Sequence, residues 1–245
     1  MDTIFLITIL VVIFALAFDF INGFHDTANA IATSVSTRAL KPRVAVLMAA
    51  FMNFVGALTF VGVAKAIASN IVDPMSLNAF DGDMTGSIVI LSALCSAITW
   101  NLLTWYYGIP SSSSHTLIGS LAGAAIGAAG FSILNYGGFS SIIAALIISP
   151  ILALTVGFIV MSLFKVFFKN LGLYKTNTRF RLVQIITAAI QSFTHGTNDA
   201  QKAMGIITMA LIAAGLQTGD EVQGWVRIAC ATAMGLGTSV GGYKI

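Results

Sequence analysis

Apolar stretches divide the chain into segments of the length that a lipid bilayer requires. They fall at 4–22, 44–64, 86–107, 116–134, 141–164, 182–193 with a continuation through 203–216, and 224–242. A helix of roughly 20 apolar residues crosses the hydrocarbon core. The pattern therefore predicts an all-α polytopic membrane protein with about seven transmembrane helices, some of them broken.

Composition supports a membrane protein and excludes some other classes. Hydrophobic residues make up 57% of the 245, charged residues only 9%, and the mean hydropathy is +0.92. A soluble protein carries about 25% charged residues, and this chain has too few to cover a surface in water. The net charge is +3, but the twelve basic residues form no stripe that could follow a nucleic acid. The sequence predicts no nucleic-acid partner and no bound cofactor; its partner is the lipid bilayer.

The charges between the apolar stretches separate by sign. Two connections are basic, with Arg38, Lys41 and Arg43 in the first and Lys165, Lys169, Lys175, Arg179 and Arg181 in the second. Two others are acidic, with Asp73, Asp81 and Asp83 in one and Asp220 and Glu221 in the other. Cytoplasmic loops are enriched in Lys and Arg. We therefore expect a multi-pass protein of the cell (cytoplasmic) membrane, with its N-terminus outside and Lys244 inside; Lys65 departs from the pattern.

A short polar motif occurs twice. Gly23–Asn29 and Gly196–Lys202 both read Gly-x-(His/Asn)-Asp-(Thr/Ala)-x-(Asn/Lys). Five predicted crossings separate the copies, so they enter the membrane from opposite sides, as in transporters with inverted repeats. The chain is thus predicted to contain a first repeat (1–164), a basic cytoplasmic loop (165–181) and an incomplete second repeat (182–245).

Each copy of the motif carries a carboxylate, Asp26 or Asp199. A charged residue at the bilayer centre costs on the order of 2.5–3.5 kcal/mol, and polar clusters at that depth usually line a cavity or bind an ion. In inverted repeats, interrupted helices meet near the midplane and form the substrate site there. The alternative is that both residues lie in water at the ends of spans.

A serine-rich segment, Pro110–Thr116, separates two apolar stretches. Proline suits the first turn of a helix, where the hydroxyls and free amides could together hold an oxyanion. The alternative is that these serines bond to their own helix in an ordinary capped turn.

These three motifs resemble those of the inorganic phosphate transporter (PiT) family. The resemblance implies import of inorganic phosphate, free or as a metal-phosphate complex, coupled to H⁺ or Na⁺. The substrate-binding residues that it implies are Asn29, Ser112, Ser113, Ser114, Thr116, Asn198 and Lys202. It also implies cation coupling through His25, Asp26 and Asp199, with both aspartates as metal ligands if the cation is sodium. A homodimer is a further possibility.

The resemblance has one clear departure, and two alternatives stay open. The family has a second Pro-Ser-Ser segment in its second half, which this chain lacks before Ile245; we therefore expect an incomplete second half. Within the family the alternative substrate is sulfate. Outside it, the alternative is an intramembrane hydrolase using a serine of 111–114 with His115 or His195. Adjacency in sequence does not show that a histidine faces a serine, so we expect a transporter and not an enzyme.

Overall fold

The computed structural model describes residues 3–71, 84–170 and 172–241, and the described chain is helical. A short 3₁₀ turn, Phe131–Ile133, follows the fifth helix. The α-helices are α1 (Thr3–Ser36), α2 (Pro42–Ala57), α3 (Gly62–Asn70), α4 (Thr85–Tyr107), α5 (Ser113–Ala129), α6 (Tyr136–Phe168), α7 (Leu173–Ala213) and α8 (Gly224–Gly241).

The helix breaks do not lie at the repeated motifs. Both copies of the motif are inside uninterrupted helices, α1 with 34 residues and α7 with 41. At 1.5 Å per residue these helices are about 50 and 60 Å long, more than a bilayer core of about 30 Å. The second predicted span is broken instead, between α2 and α3, and residues 108–112 separate α4 from α5.

Three of the described helices are long and apolar enough to cross a membrane, namely α1, α4 and α6, with α2 as a shorter apolar helix. About seven crossings were predicted from the sequence. For α2 and α7 there is a physical reason why they do not meet the length and hydropathy expected of a spanning helix. With 16 residues, α2 falls short of the roughly 20 needed, whereas α7 combines apolar stretches with the charges of its motif and its basic start. The third spanning helix, α6, has no buried residue, as expected for a helix that faces lipid.

The basic segment 165–181 is not a loop. Lys165 lies in the last turn of α6, and α7 already begins at Leu173. Phe180 of α7 contacts Phe164 and Phe168 of α6 edge to face, with centroid distances of 6.1 and 5.0 Å. The segment is therefore the closed end of a helical hairpin.

The helices that carry the motifs, α1 and α7, run antiparallel. Near the end of α1, Thr37 Oγ1 donates to Gln184 Oε1 of α7 at 2.8 Å. Further back along α1, the carbonyl of Asn29 accepts from Gln191 Nε2 at 3.3 Å. The end of α1 thus meets the start of α7, which places the two predicted basic segments at the same end of the bundle.

Lys65, the exception to the charge pattern, pairs with an acidic residue. Its Nζ lies 2.5 Å from Glu221 Oε1, in the connection between α7 and α8. Both residues therefore lie at one end of the bundle, and the pairing accounts for the exception. Asp73, Asp81, Asp83 and Lys244 fall outside the described residues.

Glycines bring α1 against α8 and α2 against α7. A Cβ added to Gly237 would lie 2.0 Å from the Phe20 carbonyl oxygen, and one added to Gly23 would lie 2.5 Å from that of Met234. At the second interface, an added Cβ on Gly56 or Gly196 would lie 2.1 Å from a backbone oxygen of the facing helix. Small residues let transmembrane helices approach this closely. Each interface combines one helix from the start of the chain with one from its end.

We predict that Gly237→Ala destabilises the protein, because the new methyl group would meet backbone that has little room to move. A cost of about 1–3 kcal/mol is expected from overpacking, measured as a lower thermal unfolding midpoint in detergent. Gly123→Ala is the control, since Gly123 has no neighbouring atom within 4 Å of an added Cβ. Equal unfolding midpoints for the two variants would contradict the assigned close packing.

Candidate functional site

The two motif aspartates meet where α1 and α7 cross. His195 lies between them, with its Nε2 3.7 Å from Asp26 Oδ2 and 3.5 Å from Asp199 Oδ2. One ligand atom from each of the three residues lies within 4.8 Å of the others. All three side chains are mostly buried, with 15–17% of their surface exposed. We call Asp26, His195 and Asp199 the carboxylate cluster.

Helical spacing places the polar residues of α1 on one face. Asn22, Asp26 and Asn29 are three or four residues apart, so their side chains align along the helix. Asp26 Oδ1 lies 3.2 Å from both Asn29 Nδ2 and His25 Nδ1. Two local donors therefore stabilise the charge of Asp26.

Asp199 is surrounded by donors from three helices. Its Oδ2 accepts from Asn22 Nδ2 at 3.0 Å, from Lys202 Nζ at 2.8 Å and from Ser113 Oγ at 3.4 Å. The ammonium group of Lys202 also donates to Ser113 Oγ at 2.8 Å. Lys202 is buried, with 5% of its surface exposed. It therefore supplies a positive charge inside the protein, next to Asp199.

A hydrogen-bond chain sets the tautomer of His195. Asn53 Nδ2 donates to Thr238 Oγ1 at 2.9 Å, which leaves the Asn53 carbonyl oxygen, an acceptor, facing His195 Nδ1 at 3.0 Å. Nδ1 must therefore carry the proton, and Nε2 of the neutral ring has only a lone pair. Nε2 has no hydrogen-bond partner in the described chain. In the neutral ring it is thus a third acceptor beside two carboxylate oxygens, a set that is satisfied by a proton or a metal cation.

The structure brings together six of the residues predicted from sequence: His25, Asp26, Asn29, Ser113, Asp199 and Lys202. Asn198 lies elsewhere, on the exposed side of α7, where it donates to the Thr194 carbonyl at 3.0 Å. Ser114 is only partly buried, and none of the described hydrogen bonds joins it to the cluster.

None of the described hydrogen bonds joins Ser112 or Thr116 to the carboxylate cluster either. They line an open groove together with Ser96, Trp100 and Ser120. The helix begins at Ser113, so Pro110 precedes it and does not occupy its first turn. Ser112 is the N-cap and accepts from the His115 amide at 3.4 Å. Ser112 thus makes the hydrogen bond of an ordinary helix cap.

Sequence reasoning did not assign Asn22 or Asn53 to the site, and it considered His195 only for the hydrolase alternative. Each is a polar side chain within or at the end of an apolar stretch, which was the available signal. Asn22 contacts Asp199 and Asn53 contacts His195, each pair more than a hundred residues apart in sequence, so the pattern along the chain does not reveal these contacts.

The hydrolase alternative finds no support in the geometry. His115 Nδ1 lies 2.8 Å from Ser112 Oγ, but this contact joins residues three apart at a helix start. A Gly-x-Ser-x-Gly sequence does occur at Gly237–Gly241. In hydrolases this motif forms a sharp strand-to-helix turn that carries the nucleophilic Ser. Here it lies inside α8, and Ser239 Oγ donates to the Leu236 carbonyl at 2.7 Å. Neither serine is arranged as an activated nucleophile.

Comparison with known proteins points to one family. Residues 22–175 and 171–245 match the phosphate transporter family. The chain is 67% identical to a probable low-affinity inorganic phosphate transporter of Bacillus subtilis (strain 168), covering 100% of this chain and 72% of that protein. It is 44% identical to a probable low-affinity inorganic phosphate transporter of Mycobacterium leprae (strain TN), covering 97% and 56%.

A solved structure shares the fold. It is titled the sodium-dependent phosphate transporter and matches with a TM-score of 0.78 at 23% identity, over 97% of this chain and 76% of that one. The chain thus spans between 56% and 76% of the length of these three proteins.

We predict that Lys202→Met lowers the free energy of unfolding by about 3 kcal/mol, because it leaves the buried Asp199 carboxylate without its cation. Adding Asp199→Asn should restore part of the loss, since a neutral amide needs no counter-charge. Thermal unfolding in detergent measures both effects. Lys169→Met, at an exposed position, is the matched control and should change stability by no more than about 0.5 kcal/mol. A Lys202 variant as stable as the control would show that the ion pair contributes nothing.

Proposed function

The chain belongs to the phosphate transporter family, and on that premise we propose that it imports inorganic phosphate together with a cation. The observation that carries the proposal is the meeting of both motif aspartates around His195, directly beside the buried donors Lys202 and Ser113. The names of its relatives favour phosphate over sulfate, and transport over hydrolysis.

The proposed site has a cation part and an anion part. The cation part is the carboxylate cluster, in which Asp26 Oδ2, His195 Nε2 and Asp199 Oδ2 are acceptors that face one another. The anion part is formed by Lys202 Nζ, which donates to Ser113 Oγ and Asp199 Oδ2, and by Ser113 Oγ, which donates to Asp199 Oδ2. An ammonium group has three donors, so Lys202 can bond to a phosphate oxygen while it keeps its two present partners.

Charge explains why the two ligands would be carried together. Phosphate is a dianion over much of the physiological pH range, and the carboxylates of Asp26 and Asp199 repel it. A cation in the carboxylate cluster offsets this repulsion, and by linkage phosphate then raises the affinity for the cation. The cation can be Na⁺, held by the two aspartates, or H⁺, which His195 or the aspartates could bind. His25 contributes by holding Asp26 in place.

Ser112, Ser114, Thr116 and Asn198 complete the proposed substrate path outside this centre. The first three lie at or near the start of α5, and Ser112 and Thr116 line the open groove. In this role they would meet phosphate, free or as a metal-phosphate complex, before or after it reaches Lys202.

The same proposal includes an arrangement in the membrane. We place the chain in the cytoplasmic membrane as a multi-pass protein with its two basic segments on the cytoplasmic side. We divide it into repeats at 1–164 and 182–245. The antiparallel course of α1 and α7 and the reciprocal glycine contacts support an inverted relation between these repeats. The helix α6, which has no buried residue, can face lipid or a second copy in a homodimer.

We predict that Asp26→Asn and Asp199→Asn each reduce phosphate uptake by at least about tenfold, because each removes a negative charge that binds the cation. Uptake of labelled phosphate into proteoliposomes, with and without sodium and a pH gradient, is the measurement. Asp220→Asn makes the same chemical change at an exposed residue and should transport normally. If both motif variants match wild type, the assigned cation site is wrong.

Phosphate should also be preferred over sulfate. Near neutral pH phosphate still carries a proton, since its second pKa is about 6 in phosphate esters, whereas sulfate has none. An ionised carboxylate accepts a hydrogen bond from P–OH but repels a bare sulfate oxygen. Competition assays test this: excess unlabelled sulfate should inhibit phosphate uptake far less than unlabelled phosphate does. Equal inhibition by both anions would rule out selection by the carboxylates.

A further inference from the structure

A third carboxylate, that of Asp19, is buried in the core and has no evident structural role. Asp19 lies on α1 one turn before Asn22, and none of its surface is exposed. Neither of its carboxylate oxygens has a hydrogen-bond partner in the described chain. By contrast, Asp26 and Asp199 both have donors. The part of the molecule already assigned to phosphate and cation does not include Asp19.

The groups that face Asp19 come from two other helices. From α7, the charges of Asp199 and Lys202 act on it, and from α8 the buried thiol of Cys230 lies beside it. The helix α4, which also packs on α1, contains no Asp, Glu, Lys or Arg from Thr85 to Tyr107. Asp19 therefore lies next to the proposed transport site without a direct hydrogen bond to it.

Its surroundings determine which form of the carboxyl group is stable. Burial of an ionised carboxylate whose neighbouring donor is only a weak thiol, and whose nearest cation forms no ion pair with it, is strongly unfavourable, and such a group takes up a proton instead. The neutral acid needs a single acceptor for its O–H, and the sulfur of Cys230 is a weak one. When Asp19 is protonated, the positive charge of Lys202 interacts only with Asp199 and the bound anion.

We propose that Asp19 carries the coupling proton, which it binds together with phosphate and releases with it on the cytoplasmic side. This inference rests on the proposed import of phosphate together with a cation, and it places a coupled H⁺ on Asp19 in addition to the cation that the carboxylate cluster binds. A protonated Asp19 adds no negative charge near Lys202, so phosphate binds more tightly to the protonated form. By reciprocity, bound phosphate stabilises the proton on Asp19. No covalent bond other than O–H forms or breaks.

The test uses proteoliposomes that contain wild type, Asp19→Asn, Asp19→Glu or the exposed control Asp220→Asn. Two quantities are compared: exchange of labelled for unlabelled phosphate at equal pH on both sides, and accumulation driven by acid outside without sodium. Asparagine resembles the protonated acid but cannot release a proton. We expect Asp19→Asn to retain exchange within about threefold and to lose at least tenfold of the gradient-driven accumulation. Asp19→Glu, which can titrate, should recover accumulation.

Each other outcome has a definite meaning. The role of Asp19 is overturned if Asp19→Asn accumulates phosphate at the wild-type level. It is also overturned if Asp19→Asn keeps the wild-type unfolding midpoint but loses phosphate exchange as well as accumulation. If Asp19→Asn does not fold, the wild type alone decides, because accumulation that needs a sodium gradient and ignores the pH gradient also overturns it. Absence of phosphate exchange in the wild type would instead overturn the proposed function itself, and this inference with it.

Discussion

Negative charge held away from water is the constraint on which this structure depends. Asp26 and Asp199 lie in the middle of long helices, and each would be costly in lipid without partners. Asp26 has two local donors on α1, whereas Asp199 also gains donors from α1 and α5, beside the ammonium group of Lys202. The antiparallel course of the two helices, which brings Asn22 to Asp199, and the position of α5 with Ser113 both serve this one requirement.

The polar centre needs helices that approach more closely than large side chains permit. Glycines provide this approach at Gly23 and Gly237 on one side and at Gly56 and Gly196 on the other. The second contact brings Asn53 of α2 to His195, which orients the ring towards both aspartates. Backbone contact between helices therefore fixes the geometry of the carboxylate cluster.

The repeated motif was enough to predict that Asp26 and Asp199 lie close together, because inverted repeats bring corresponding segments together. The motif did not predict that α1 and α7 continue through it without a break. Polar residues in an apolar stretch also occur where a helix is interrupted, and the sequence does not show the partners that allow the helix to continue. The serines show a second limit. Four are consecutive, and only the start of α5 at Ser113 decides which of them faces Asp199. The hydrogen bond of His195 to Asn53 depends on tertiary contact alone.

The packing of α1 against α8 and of α2 against α7 has a consequence for biosynthesis. α1 and α2 are synthesised before the helices against which they pack, α8 and α7. Until α7 is made, Asn22 lacks Asp199 and Asp26 lacks His195. The nascent protein must therefore keep these polar groups near the insertion machinery or water, and the arrival of α7 is the step that closes the core.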